Sequence, residues 1–176
     1  MKSFCYLIIA TLGMVLLAGC DVSPKGGVVL NEICGKDNDA LEWIEVGNTS
    51  NAPVNLKGYK VRKMDVEGLE KKVYEFPDIV IAPGEIYTIN TEDLKAHIPY
   101  KKAIIIELED AEGNVVDSFD SDEDLNLECH PIGGSYARVP NLKGEWTLVK
   151  QASWNEPNPS TNDDNDLDEF EADNEE

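Results

Sequence analysis

Residues 28–46, VVLNEICGKDNDALEWIEV, decide the fold. The first seven, VVLNEIC, are a short run rich in β-branched residues, which favour a pleated, half-buried surface. After a polar connection, residues 42–46 (EWIEV) alternate, so Trp43 and Ile44 point to opposite faces of a strand. Two strands and a turn-rich link set a rhythm that the following chain keeps. NTSNAP at 48–53 is a turn cluster. Strands are expected at 59–64, 73–76, 85–90, 103–108, 115–119, 135–139 and 145–149. Pro83 presets the first corner of a turn before the strand at 85, and Gly84 is free to take positive φ. Residues 110–114 (DAEGN) make the tip of a hairpin. About nine strands at near-regular spacing predict an all-β domain, a sandwich or barrel.

One segment departs from this rhythm. TEDLKAH at 91–97 predicts about two turns of helix, with Thr91 as N-cap and acids in the first turn. The expected interior gathers Trp43, Tyr59, Tyr87, Ile104, Ile106 and Trp146 into one two-layer core.

Upstream, residues 1–20 read MKSFCYLIIATLGMVLLAGC. One Lys precedes an apolar run, residues 6–17, which is shorter than the ~20 residues of a spanning helix and ends in small residues. Residues 1–19 are therefore expected to be a signal peptide. Leu17-Ala18-Gly19-Cys20 resembles a bacterial lipobox, which implies cleavage before Cys20, a diacylglyceryl group on its thiol and an acylated amine, palmitate being the expected kind of chain. Several acyl chains anchor a protein stably where one does not. Residues 20–27 are then lipid anchor and tether, and the address is the bacterial cell envelope. Asp21 resembles an inner-membrane retention signal of some bacteria; which membrane holds the protein stays open.

Export also sets the redox compartment. Cys5 leaves with the signal and Cys20 is capped, so Cys34 and Cys129 remain where disulfides persist. They pair, stay as two buried thiols, or bind metal; the last is disfavoured because neither sits in a ligand motif.

Charge narrows the partners. The chain carries 35 Asp+Glu against 15 Lys+Arg, a formal −20. Nine of the acids and none of the bases lie in residues 162–176, and residues 20–161 still carry −12. A phosphate-binding surface needs a basic footprint, so nucleic acid is excluded as the expected partner. A polybasic membrane patch is excluded on the same ground. Residues 159–176 lack periodicity and are expected to form a disordered acidic tail.

Residues 28–158 contain an ordered series of motifs. They are Leu30-Asn31-Glu32-Ile33, Glu42-Trp43-Ile44-Glu45-Val46 with Asn48, and Pro53-Val54-Asn55-Leu56-Lys57-Gly58-Tyr59. Tyr74-Glu75-Phe76-Pro77 leads to Ile81-Ala82-Pro83-Gly84-Glu85. Gly113-Asn114-Val115-Val116-Asp117-Ser118 follows, then Ser135-Tyr136-Ala137-Arg138-Val139-Pro140 with Gly144-Glu145-Trp146, and Asn158. In this order the series resembles the lamin-tail domain, an immunoglobulin-like β-sandwich. The departures are Tyr59 where the family has Trp, an acidic insert at 120–129, and no T-P-G near the end. The resemblance implies a binding or scaffolding module with no chemistry of its own. It makes Asn31, Glu32, Trp43, Glu45, Gly58, Tyr59, Pro83, Gly84, Arg138 and Trp146 structural residues.

Glu32 and Glu45 suit two carboxylates sharing catalytic or cation-binding work, or alternatively residues that pin neighbouring strands by hydrogen bonds. His97 and His130 lack a nucleophile motif and read as surface or loop histidines. Asp164-x-Asp166-x-Asp168 lacks the glycine of a calcium loop, and the acidic run 120–124 reads as a solvated loop. No catalytic residue, metal site or cofactor is expected. The reading is a lipid-anchored module for a protein or glycan partner, recognised through loops 35–40, 66–72 and 120–134. The alternative is a small exported hydrolase or its accessory subunit.

Overall fold

The computed structural model describes residues 27–35, 42–65, 67–125, 130 and 133–160. The signal peptide, Cys20, the acidic tail past residue 160 and Cys129 lie outside the described residues, so the proposed Cys34–Cys129 pairing does too.

The described residues form eleven strands and two short helices: β1 Val28–Cys34, β2 Trp43–Asn48, β3 Val54–Asn55, β4 Lys60–Met64, β5 Glu70–Glu75, β6 Val80–Ile81, β7 Ile86–Asn90, α1 Thr91–Leu94, β8 Ile105–Glu109, β9 Val115–Asp120, α2 Ser121–Leu125, β10 Ser135–Val139 and β11 Glu145–Val149. A five-stranded sheet, β11-β10-β1-β2-β7, packs on a four-stranded sheet, β5-β4-β8-β9; β3 and β6 pair as a small ribbon. All strand pairs are antiparallel. This is the all-β sandwich of immunoglobulin-like type that the motifs imply. The two strands beyond the expected nine are β3 and β6, each two residues long, too short to leave an alternation.

Leu30, Ile33, Ile44, Val46, Ile89 and Tyr136 from one sheet meet Val61, Ile106, Leu108, Val116 and Phe119 from the other in one core. Phe119 anchors the junction, its ring 4.4 Å from Trp146 and 5.0 Å from Tyr136. Two expected core residues differ: Tyr59 and Tyr87 are half-buried at the margin. Trp43 is buried, but on the opposite face from Ile44, as its alternation requires, with Trp154 edge-on at 5.0 Å.

The expected helix over 91–97 is a single turn, and its N-cap is Asn90 rather than Thr91. Asn90 keeps extended backbone and its Oδ1 accepts the Asp93 N–H. Lys95, at φ 52°, ends the turn by returning its N–H to the Thr91 carbonyl. The acidic run 120–124 is likewise not a loop. Asp120 ends β9 and residues 121–125 form α2, tied down by the buried Ser121, whose hydroxyl accepts the Ile104 N–H at 3.0 Å.

Candidate functional site

The feature that organises this domain is an irregularity in β1. Leu30 pairs with Val46 and Glu32 with Glu45, so Asn31 is an extra residue, a β-bulge. The bulge has two results. It turns Asn31 and Glu32 to the same, outer face of the five-stranded sheet, where strict alternation would separate them. It also leaves Leu30 paired with β2 but beyond the β10 ladder, which reaches only Glu32 and Ile33.

A cross-sheet ion pair meets Leu30 at that point. Asp117 of β9 accepts the Leu30 N–H at 2.8 Å, and Arg138 Nε of β10 donates to the Leu30 carbonyl at 2.9 Å. Arg138 also stands over the Trp146 ring at 4.8 Å and donates to the Gly144 carbonyl. The Asp117 carboxyl is nonetheless held above its usual range, because burial outweighs the guanidinium.

On the outer face, Glu32 and Glu45 sit directly across from one another, and neither is exposed. Residues 153–158 cross above them as a strap. Glu32 accepts from the Ser135 hydroxyl (2.5 Å), the Ser153 N–H (2.9 Å) and the Ser153 hydroxyl (3.0 Å). Glu45 accepts from the Asn155 N–H (2.9 Å), Thr88 (3.2 Å) and Asn31 (3.3 Å). Asn158 donates to the carbonyls of Asn31 and Arg138, and Asn31 Oδ1 accepts the Leu142 N–H. Burial first, then the neighbouring Glu32 charge, pushes the Glu45 carboxyl up to about 7. A carboxyl near neutrality is a proton donor and acceptor at working pH. Here its oxygens are turned onto strap backbone and sealed from solvent, so in this conformation the pair holds chain segments together.

The other expected site residues are dispersed. Gly58 (φ 85°) and Gly84 (φ 79°) take left-handed backbone at turns, as the motifs require. His97 is exposed, its Nδ1 2.8 Å from the buried Glu42. His130 is not a surface residue: it is buried, its ring is edge-on to Tyr136, and its Nε2 accepts the Gly35 N–H at 2.8 Å. Nearby, Cys34 is buried with Sγ 3.5 Å from the Gly134 carbonyl. Among the described residues, no group of His, Cys, Asp and Glu is placed to hold a metal ion, and no helix is long and apolar enough to cross a membrane.

Nothing periodic marks residues 153–158 in the sequence as an element, and Asn158 is the strap's one visible sign there. A family model described as Lamin Tail Domain matches residues 21–123, more than half of the 176-residue chain. No curated protein matches.

Proposed function

This chain belongs to the lamin tail domain family, and from that premise we propose that it is a binding or scaffolding module of the bacterial cell envelope, anchored by lipid on Cys20. Residues 20–27 serve as its tether and residues 159–176 as an acidic extension. It carries no chemistry of its own. The observation that supports this most is how the polar residues of the bulged face are used: Glu32, Glu45, Asn31 and Asn158 all bind backbone or side chains of the domain itself. The partner is a protein or a neutral glycan, approached through the end loops. The excess of acid in the domain leaves no footprint for nucleic acid.

One observation favours the hydrolase alternative, the near-neutral Glu45 carboxyl. A turnover panel of nucleic acid, peptide, ester and glycoside substrates separates the readings. The binding module turns over none of them; activity that disappears in Glu45→Gln with the fold unchanged would establish the enzyme. The anchor is tested by fractionation. Cys20→Ala protein should leave the membrane or remain unprocessed, and correctly processed variant still on the membrane would refute lipidation at Cys20.

A further inference from the structure

The Glu32–Glu45 pair poses an electrostatic problem that the strap resolves only in part. The residues are opposed on adjacent strands and fully buried. Among the described residues neither takes part in an ion pair. Two buried carboxylates side by side, without a cation, cannot both ionise at low cost; such pairs share a proton. What covers them is not a strand of either sheet but residues 153–158, whose first half, Ser153 and Asn155, is bonded to those same two carboxyl groups, while Asn158 at its end is fastened separately to Asn31, Arg138 and Asn141. The strap turns through left-handed backbone at its middle, which asparagine tolerates. Asn155, whose N–H reaches Glu45, sits at φ 55°.

We propose that residues 153–158 form a proton-operated latch, closed while Glu45 holds a proton beside the opposed Glu32 and lifted when that proton leaves. Lifting gives both groups water, and it bares a polar trough of Asn31, Glu32, Glu45, Thr88 and Ser135 on the outer face of β1, β2, β7 and β10. The closed state binds the shared proton more tightly than the open one. Closure is therefore complete at low pH and lost as pH rises. The Glu45 carboxyl, pushed up to about 7, sets the window in which this happens. The groups facing Glu45 are Glu32 and Asn31 from β1, Thr88 from β7 and Asn155 from the strap. Ser135 of β10 and Ser153 face Glu32. Of these, only the two glutamates are ionisable side chains of this kind, so no histidine, lysine or arginine faces Glu45 to compete for the assignment. The latch stands whether or not the protein is lipid-anchored.

Amide hydrogen exchange of the full chain from pH 5.5 to 8.5 tests this, read as protection so that the intrinsic pH dependence cancels. The Ser153 and Asn155 amides should lose at least tenfold protection between about pH 6 and 8, while amides of the β10–β11 ladder keep theirs. In Glu45→Gln the strap amides should stay protected throughout. In Glu32→Gln, which removes the like charge facing Glu45, the loss of strap protection between pH 6 and 8 should be smaller than in the wild type. A flat wild-type profile overturns the latch, as does the same fall in Glu45→Gln. Loss shared equally by the β10–β11 ladder also overturns it, since that is global unfolding. Should the variants fail to fold, the carbon chemical shift of the Glu45 carboxyl in the wild type decides. Its titration midpoint must coincide with the loss of protection, and a separation of more than about one unit refutes the coupling.

Discussion

Arg138 Nη2 lies 2.9 and 3.1 Å from the two carboxylate oxygens of Asp117, joining the five-stranded to the four-stranded sheet at the point where β1 bulges. The pair does more than bridge layers. Between them the two side chains take the N–H and the carbonyl of Leu30, satisfying backbone groups at the place where the bulge shifts the register.

Truncating either partner leaves the other buried and uncompensated, so Arg138→Met and Asp117→Leu should each cost about 3–5 kcal/mol. The double variant should cost clearly less than their sum, because no lone charge remains. Lysine is no substitute, since it lacks the planar fork that serves Asp117, Leu30 and Gly144 together. Chemical denaturation of the two single variants and the double measures this; strict additivity would show that the pair does not act as a unit.

Global stability should fall as the solution becomes alkaline. The Glu45 carboxyl is raised from an ordinary 4.5 to about 7 in the folded chain. The fold therefore binds its proton more tightly than the unfolded chain does. The stability this lends is complete below about pH 4.5 and lost as pH rises through about 7, on the order of 3 kcal/mol in all. Asp117, raised by burial, contributes with the same sign. Urea midpoints at pH 5 and pH 8 should show the decline in the wild type and a smaller one in Glu45→Gln.

Gly47→Ala should destabilise by about 1–3 kcal/mol, the usual cost of overpacking. A Cβ at this position would come within 2.1 Å of Leu142 Cδ2. Leu142 is itself buried with φ at 65°, an unfavourable conformation for leucine that leaves little room to yield. In a Leu142→Ala background the cost of Gly47→Ala should shrink, which thermal unfolding of the four proteins measures.

The two histidines should respond unequally to replacement. His130→Phe strands the buried Gly35 N–H and should cost about 1–3 kcal/mol. His97→Ala removes a side chain that is 76% exposed and should change stability by no more than about 1 kcal/mol. A comparison of melting temperatures at pH 7 suffices.

Much of this domain is written plainly in its sequence. β1, β10 and β11 begin and end where the residue pattern places them, because β-branched runs bounded by turn residues fix both period and length. The motif Asn31-Glu32 also announced polar residues on a strand. What it did not announce is the bulge, which decides that both side chains share a face. The role of Asp117 was equally hidden, since its ion pair spans 21 residues of sequence and two sheets. The strap is the extreme case. Its bonds to Glu32 and Glu45 connect residues 121 and 110 positions apart, and the binding groups on the strap are mostly backbone N–H, which every non-proline residue possesses. His130 lies outside the strands and helices but is no surface residue, because its burial comes from neighbours brought in by folding, Gly35, Tyr100 and Tyr136.

The position of β1 has a mechanical consequence. It is the first strand of the domain and lies third in a five-stranded sheet, bonded to β2 on one side and β10 on the other. A pull transmitted through the residues before Val28, resisted elsewhere in the domain, acts along this strand and loads both flanking ladders in shear. Their hydrogen bonds then share the tension instead of breaking one after another. Asp117, Arg138 and Asn158 grip its backbone at Leu30 and Asn31 as well. A chain held at its leading end and grasped by a partner at its loops would thus meet force at its most firmly fastened strand.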